Sequence, residues 1–349
     1  MTDSTLLRVE DVAVTFSRRR RVRVGGGVRA LDGVSFELGR GETLGVVGES
    51  GSGKSTLARV VMRLLEADRG KVELDGVRID ELSAKALRRL RPQFQMVFQD
   101  PYSSLDSSMT VGESIAQPLV VHRTVSKSER TEMVGGLLER VGLDRDYADR
   151  YPDELSGGQR QRVAIARALA LEPKLIVCDE SVSALDVSTQ NQVINLFEDI
   201  QRDSRTSYLF IAHDLSVVRH IAHRVLVMYL GRVVESGPIE RVFSAPAHPY
   251  TEALLSAIPI PDPRVQRSRD RITLEGDPPD PTAIPSGCAF HDRCRYAMPR
   301  CSVDEPRLQQ LDGGGEAACH LLDLDEEVHL EGLDAAVGVD RPVRMPGLS

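Results

Sequence analysis

Gly48-Glu49-Ser50-Gly51-Ser52-Gly53-Lys54-Ser55-Thr56 is the stretch on which the reading of this chain turns. It follows a short apolar run, Thr43 to Val47, and precedes Leu57-Ala58-Arg59-Val60-Val61-Met62-Arg63-Leu64-Leu65, whose apolar residues recur at helical spacing. The order is strand, glycine-rich loop, helix. Only glycine lets a backbone wrap closely around an anion, and this order aims the loop N–H groups and the helix N-terminus at one phosphate. Lys54 supplies a point charge for the β- and γ-phosphates of a nucleotide, and the Ser55 hydroxyl is placed to coordinate Mg²⁺. The alternative is a glycine-rich turn that matches by chance; the complete pattern in a strand-to-helix context argues against it.

Upstream, Leu6 to Phe16 alternates apolar and polar residues, and Ala30 to Leu38 does so less cleanly; both read as strands. Between them, Arg18 to Arg21 and a glycine triplet read as a solvated, glycine-hinged loop. Phe16 closes the first strand, where its ring either stacks on a nucleobase or belongs to the core. Downstream, Val72 to Ile79 reads as a hairpin turning at Asp75-Gly76, and Gln95 to Gln99 as a strand running into Asp100-Pro101. Residues Val111 to Tyr151 are helical in pattern, with Met133, Leu137, Leu138 and Val141 on one face.

A second anion-facing element follows. Leu155-Ser156-Gly157-Gly158-Gln159 opens the predicted helix Arg160 to Leu171, placing glycine-freed N–H groups and a serine hydroxyl at a second helix N-terminus. A single nucleotide does not need both surfaces from one chain. Lys174-Leu175-Ile176-Val177-Cys178-Asp179-Glu180 has the apolar run of a buried parallel strand and delivers two carboxylates at its C-terminal end. Asp179 is suited to hold Mg²⁺, directly or through water, and Glu180 to orient or deprotonate an attacking water. Ser183-Ala184-Leu185-Asp186 comes next; after another apolar strand, Tyr208 to Ala212, stands His213, whose imidazole can hydrogen-bond a γ-phosphate.

Composition limits the setting. The chain has 349 residues, room for more than one domain, and a net charge of −8 with no dominant basic face, which argues against a nucleic-acid role. No apolar run approaches the roughly 18 residues a spanning helix needs, and MTDSTLLRVE lacks a signal-peptide core, so the expected location is the cytoplasm.

Together these motifs resemble the ATP-binding domains of ABC-type ATPases. Gly48 to Thr56 is similar to the Walker A loop, Gln99 to the Q-loop, Leu155 to Gln159 to the signature, Leu175 to Glu180 to Walker B, Ser183 to Asp186 to the D-loop and His213 to the switch histidine. Phe16 is similar in place to the adenine-stacking residue. One departure is Ser181, where proline is common in the family. The resemblance, running from about Leu6 to Pro259, implies an α/β P-loop NTPase fold with a mixed core sheet, an antiparallel β subdomain and an all-helical signature subdomain near residues 106–158. It also implies ATP held by Gly48 to Thr56, Gln99, Asp179 and Asp186 of one domain and by Ser156, Gly157, Gly158 and Gln159 of another, head to tail, with Mg²⁺ on Ser55, Gln99 and Asp179. Glu180, His213 and Gln99 are then the catalytic set. With no coiled coil between Gln99 and Ser156 and only one phosphate loop, the chromosome-maintenance and tandem translation-factor relatives fit poorly.

The tail narrows the resemblance. Ala247-His248-Pro249-Tyr250-Thr251, a short predicted helix from Glu252 to Ala257 and a proline-rich linker, 258–287, resemble the C-terminal extension of oligopeptide and dipeptide importer ATPases, a group that includes nickel importers. Val182 to Ser188 resembles the second ATPase of such systems, which implies a non-identical ATPase partner, two transmembrane permease subunits and an extracytoplasmic peptide-binding protein. Cys178 sits inside an apolar strand and reads as core, whereas Cys288, Cys294, Cys301 and Cys319 gather in a small module, 288–320. Disulfides are unfavourable in a cytoplasmic chain, and four thiolates suit a metal centre. The paired knuckles usual for zinc are absent, and the resemblance implies a [4Fe–4S] cluster, with Zn²⁺ as the alternative; His291 and His320 read as flanking surface residues or, in the alternative, as substitute ligands. Residues 321–349 are acidic and then contain proline and glycine, a composition that suits a partly disordered tail.

Overall fold

Two sheets organise the chain, and the phosphate-loop helix lies between them. The computed structural model describes residues 5–17, 27–100, 104–122, 125–183, 185–258, 272–277 and 279–324. The arginine run, Ala184, most of the proline-rich linker and nearly all of the acidic tail lie outside the described residues.

Strands β1 (Thr5–Ser17), β2 (Gly27–Gly39), β4 (Arg69–Leu74) and β5 (Val77–Arg78) form an antiparallel sheet in the order β2-β1-β4-β5. The β4–β5 hairpin turns at Asp75-Gly76, both with positive φ (52° and 78°), as the sequence predicts. The second, eight-stranded sheet is built on β3 (Thr43–Val47), β6 (Phe94–Val97), β7 (Leu175–Asp179), β8 (Ser207–Ile211), β9 (Arg224–Tyr229) and β10 (Arg232–Pro238). Strands β9, β3, β8, β7 and β6 are neighbours in that order and parallel, and β10 turns back antiparallel on β9.

Side-chain alternation explains why these parallel strands read as unbroken apolar runs. Leu175 and Val177 of β7, with Leu209 and Ile211 of β8, face the core shared with the antiparallel sheet and with Leu57, Val60 and Val61 of helix α1 (Lys54–Val61). Ile176 and Cys178, with Tyr208 and Phe210, face the opposite core, so Cys178 is the core residue its position implied. Helix α1 is shorter than its apolar periodicity predicts. Its last carbonyls are closed by a turn at Arg63, in the left-handed region (φ 50°), and Leu64 is exposed.

After α2 (Ala84–Leu90), the helical insertion comprises α3 (Val111–His122), α4 (Lys127–Arg140) and two 3₁₀ turns, Arg145–Asp149 and Pro152–Glu154. It is held by Val111, Ile115, Val134 and Leu138 against α5 (Gly157–Leu169) and by a small cluster of Leu119, Ala170 and Leu171. Helices α6 (Val187–Ser204), α7 (Leu215–Ile221), α8 (Ile239–Ser244) and α9 (Pro249–Ser256) complete the body.

The described part of the cysteine-rich segment is not a detached module. Two-residue strands β11 (Gln309–Gln310) and β12 (Glu316–Ala317) extend the core sheet from its β10 edge, with Glu235 opposite Ala317 and Ser236 opposite Glu316. No helix among the described residues is long and apolar enough to cross a membrane.

Candidate functional site

Topology concentrates the chemistry. Consecutive parallel strands β3, β8, β7 and β6 end on one edge of the sheet, and each is followed by one of the residues singled out in the sequence: the phosphate loop after β3, His213 after β8, Asp179 and Glu180 at the end of β7, and Gln99 two residues beyond β6. Ligands of open parallel sheets bind at the carboxyl ends of the strands.

The loop is tightly fitted around its backbone. Gly53 caps α1 with φ 102°, and a Cβ there would lie 2.4 Å from the Ala30 carbonyl oxygen; one on Gly48 would lie 2.2 Å from the Met228 carbonyl oxygen. Lys54 is buried, and its Nζ donates to the carbonyl oxygens of Gly48 (2.7 Å) and Glu49 (2.9 Å). Burial lowers its pKa, while the charges of Glu180, Asp179 and Glu49 hold it up. Ser55 Oγ donates to Asp179 Oδ1 at 3.0 Å, a pair of hard oxygen donors suited to Mg²⁺. Asp179 is nearly inaccessible, and burial raises its pKa against the Ser55 hydrogen bond.

Glu180 stands in the left-handed region (φ 47°), unusual for glutamate and of the kind found where a site is held by its surroundings. Its N–H donates to Ile211 O (3.0 Å), and its carbonyl accepts from Ser183 N (3.1 Å) and Oγ (2.8 Å). Gln99 Nε2 donates to Glu180 Oε2 at 2.7 Å, joining residues 81 positions apart. His213 is exposed and shares with Glu180 and Ser183 a small cavity of about 40 Å³. Phe16 is 44% exposed at the end of β1, so the core reading of this ring does not hold.

The second anion-facing element is elsewhere. Ser156 caps α5: its Oγ accepts from Gln159 N (3.4 Å), and its own N–H donates to Gln159 Oε1 (2.9 Å). With Gly158 these residues border a concavity of about 330 Å³ that contains Tyr147, Arg162 and Thr189 and no residue of the phosphate loop. A Cβ on Gly158 would meet Thr189 Cγ2 at 2.4 Å, so only glycine lets α5 start this close to α6. Asp186 caps α6, accepting from Thr189 N (3.0 Å) and Oγ1 (2.7 Å), which holds its carboxyl below the ordinary range. One chain therefore presents two half-sites, apart from each other.

Two residues that the sequence did not mark, Arg293 and Glu235, and one named there only as part of the HPYT stretch, Tyr250, touch the phosphate loop or its supports. Tyr250 OH accepts from Glu49 N at 2.7 Å, and Arg293 grips the Glu49 carboxylate with a fork, 2.7 and 3.1 Å. Glu235, fully buried, binds Arg241 (2.5 Å) and accepts from Ala247 N and His248 N, both 2.9 Å, while His248 Nδ1 accepts from Tyr250 N (3.1 Å). The HPYT stretch thus has a physical meaning: Glu235 latches its start, His248 caps α9, and Tyr250 reaches the loop. The available signal was a carboxylate in the middle of β10, directly after Val233 and Val234.

Cys288, Cys294, Cys301 and Cys319 are all free thiols, two buried and two partly so. They lie within electrostatic reach of one another, and burial pushes Cys294 and Cys319 each up to about 12. Among the described residues no three His, Cys, Asp or Glu side chains converge as ligands of a metal, be it Zn²⁺ or a cluster. The histidines are not surface flankers: His320 is buried with Nε2 at 2.9 Å from Asp304 O, and His291 Nδ1 lies 2.8 Å from Cys288 O.

Fold and site together define a P-loop ATPase half-site. Residues 31–183 match the family model described as ABC transporter, and residues 234–301 match that of the oligopeptide/dipeptide transporter C-terminal region. A probable peptide ABC transporter ATP-binding protein of Sinorhizobium fredii is 52% identical over 294 residues, 84% of this chain and 83% of the relative. The di/tripeptide transport ATP-binding protein DppF of Pseudomonas aeruginosa is 50% identical over 295 residues, 84% and 90%. The solved dimer of the ATP-binding cassette MJ0796 bound to ADP and Pi superposes with a TM-score of 0.61 at 29% identity, covering 67% of this chain and 99% of that one. The chain belongs to the ATP-binding proteins of ABC transporters, on the peptide and oligopeptide branch.

Proposed function

We propose that this chain is the ATP-hydrolysing subunit of a peptide importer, acting at the cytoplasmic face of the membrane with a second, similar ATPase, two permease subunits and an extracytoplasmic binding protein. The observation that carries the reading is the separation of the two half-sites: the phosphate loop and the Ser156–Gln159 element border different surfaces, so ATP is enclosed when two domains meet head to tail. The γ-phosphate then completes the second anion site, and hydrolysis removes the group that joins the domains. This sets the nucleotide as the switch between closed and open pairs.

Within one half-site, the loop N–H groups from Gly48 to Thr56 and Lys54 hold the phosphates, and Phe16 offers a ring for the adenine. Ser55, Asp179 and Gln99 are the proposed holders of Mg²⁺, which neutralises developing phosphate charge when bound. Glu180 is the base that orients and deprotonates water, Gln99 and the backbone contacts of Glu180 fix its carboxylate, His213 approaches the γ-phosphate, and Asp186 stiffens the start of α6 toward the partner. The proposed division is a nucleotide-binding unit, 1–257, a linker, 258–287, a cysteine-rich extension, 288–320, and a tail, 321–349.

We further propose a [4Fe–4S] cluster on Cys288, Cys294, Cys301 and Cys319, with a structural role; the reading rests on donor type, four cysteines in one segment that would supply the thiolates such a cluster takes. Iron and acid-labile sulfide near four per chain after anaerobic purification are expected; neither metal nor sulfide would remove the cluster from this account.

Transport is tested by complementation. Cells lacking this chain should recover uptake of a labelled dipeptide with the wild-type chain and not with Lys54→Ala. Recovery of nickel uptake instead would favour the small-solute relatives, and full recovery with Lys54→Ala would contradict an ATP-driven role.

A further inference from the structure

The ATPase reading leaves unused the most buried ion pair at the loop. Arg293 lies in the cysteine-rich segment, 244 positions beyond Glu49, with its side chain only 7% exposed. Its guanidinium meets both oxygens of the Glu49 carboxylate and stands 3.4 Å from Tyr229 OH. Glu49 is in consequence fixed through every polar group it has: the carboxylate by Arg293, the N–H by Tyr250, and the carbonyl by Lys54. Arg293 is itself held from behind. It closes a 3₁₀ turn, His291–Arg293, whose preceding residue, Phe290, is buried against Tyr229, Tyr250 and His248 at ring separations of 5.3, 5.4 and 5.7 Å. Cys288 and Cys294 flank this turn.

A carboxylate one residue into a phosphate-binding loop is a like charge beside a polyanion. Left alone, it would oppose nucleotide binding; a buried bidentate arginine cancels the charge and fixes the loop's first bend. We infer that Arg293 is a positioning residue of the ATP site, supplied by the C-terminal segment, which neutralises Glu49 and sets the phosphate loop for nucleotide. The cysteine-rich segment is then part of the ATPase: whatever holds Cys288 and Cys294 also holds the residue that shapes the loop.

This rests on the ATPase reading, and the test separates the two. In the full-length chain within its assembled transporter, KM for ATP and kcat are measured for the wild type, Arg293→Gln, Glu49→Gln and the double variant, with a fluorescent ATP analogue giving affinity directly. A unit charge uncovered at this range raises KM on the order of tenfold, with kcat within about twofold. The double variant, which has lost one charge of each sign, should return KM to within about twofold of the wild type, because the net charge beside the phosphates is restored. A double variant whose KM stays as high as that of Arg293→Gln would show that Arg293 acts through general folding and would overturn the inference, as would an unmoved KM in the single variant. If Arg293→Gln does not fold, Arg293→Lys carries the test: it keeps the charge and loses the fork, so KM rises about two- to threefold with kcat kept, and an unchanged KM overturns the positioning role. Absence of turnover in the wild type would contradict the ATPase reading instead.

Discussion

Replacing Glu180 by glutamine isolates the chemistry of one oxygen. Glutamine has the same length and keeps an acceptor for the Gln99 amide, which lies 2.7 Å from Glu180 Oε2. The backbone strain at this position, φ 47°, is carried by main-chain bonds to Ile211 and Ser183 that the substitution does not touch. What is lost is the charge and the basicity. General-base catalysis contributes roughly 10²- to 10⁴-fold, so the barrier should rise by about 3 to 5 kcal/mol and kcat should fall by that factor. ATP affinity should move the other way, by a few-fold, because one of the carboxylates whose field reaches Lys54 is neutralised. Phosphate release under saturating Mg-ATP gives the first number, equilibrium binding of a fluorescent ATP analogue the second. Light scattering with ATP should reveal a retained pair of ATPase domains. A folded variant with kcat within about threefold of the wild type would refute the assignment of Glu180 as the base.

Two further expectations concern the latch behind the loop. Glu235→Ala leaves Arg241 without its buried partner and two backbone N–H groups without an acceptor, so it should cost about 3 to 5 kcal/mol of stability, read as a lowered urea midpoint; a shift of under about 1 kcal/mol would contradict the latch. Burial holds His248 neutral, with its pKa pushed down to about 3. The unfolded chain takes up a proton at His248 near its ordinary pKa while the folded chain does not, so this stability is complete above about pH 6.5 and is lost as pH falls toward 3, by at most about 1.4 kcal/mol per pH unit. Urea midpoints between pH 7.5 and 5 should therefore fall more steeply for the wild type than for His248→Asn, and equal slopes would count against a neutral buried histidine.

What the sequence disclosed was what short-range pattern encodes. The phosphate loop, the Ser156 hydroxyl at a helix N-terminus and the Asp75-Gly76 turn are local chemistry, and each formed where its residue types required. Strand β7 was legible because a parallel strand buried on both faces has no polar position until Asp179. The ends of elements were less so: apolar periodicity carried α1 through Leu65, but a left-handed Arg63 stops the helix at Val61. Strands β11 and β12, at two residues each, are too short to leave a pattern and exist because β10 offers them an edge. Long-range pairs were invisible for a related reason. Nothing near Glu49 announces Arg293 or Tyr250, since a salt bridge across 244 positions is specified by the fold and not by its neighbours. The four cysteines were found together by spacing, yet spacing does not say how thiols are directed once the chain is folded.

The account stands most directly on what this chain assembles with. Epitope-tagged chain, extracted from membranes in mild detergent with Mg-ATP and the Glu180→Gln substitution to retain nucleotide, should bring down two permease subunits and a second, similar ATPase in equal amounts. Recovery of a soluble homodimer with no membrane subunit would contradict the importer reading and leave an ATPase whose work lies elsewhere.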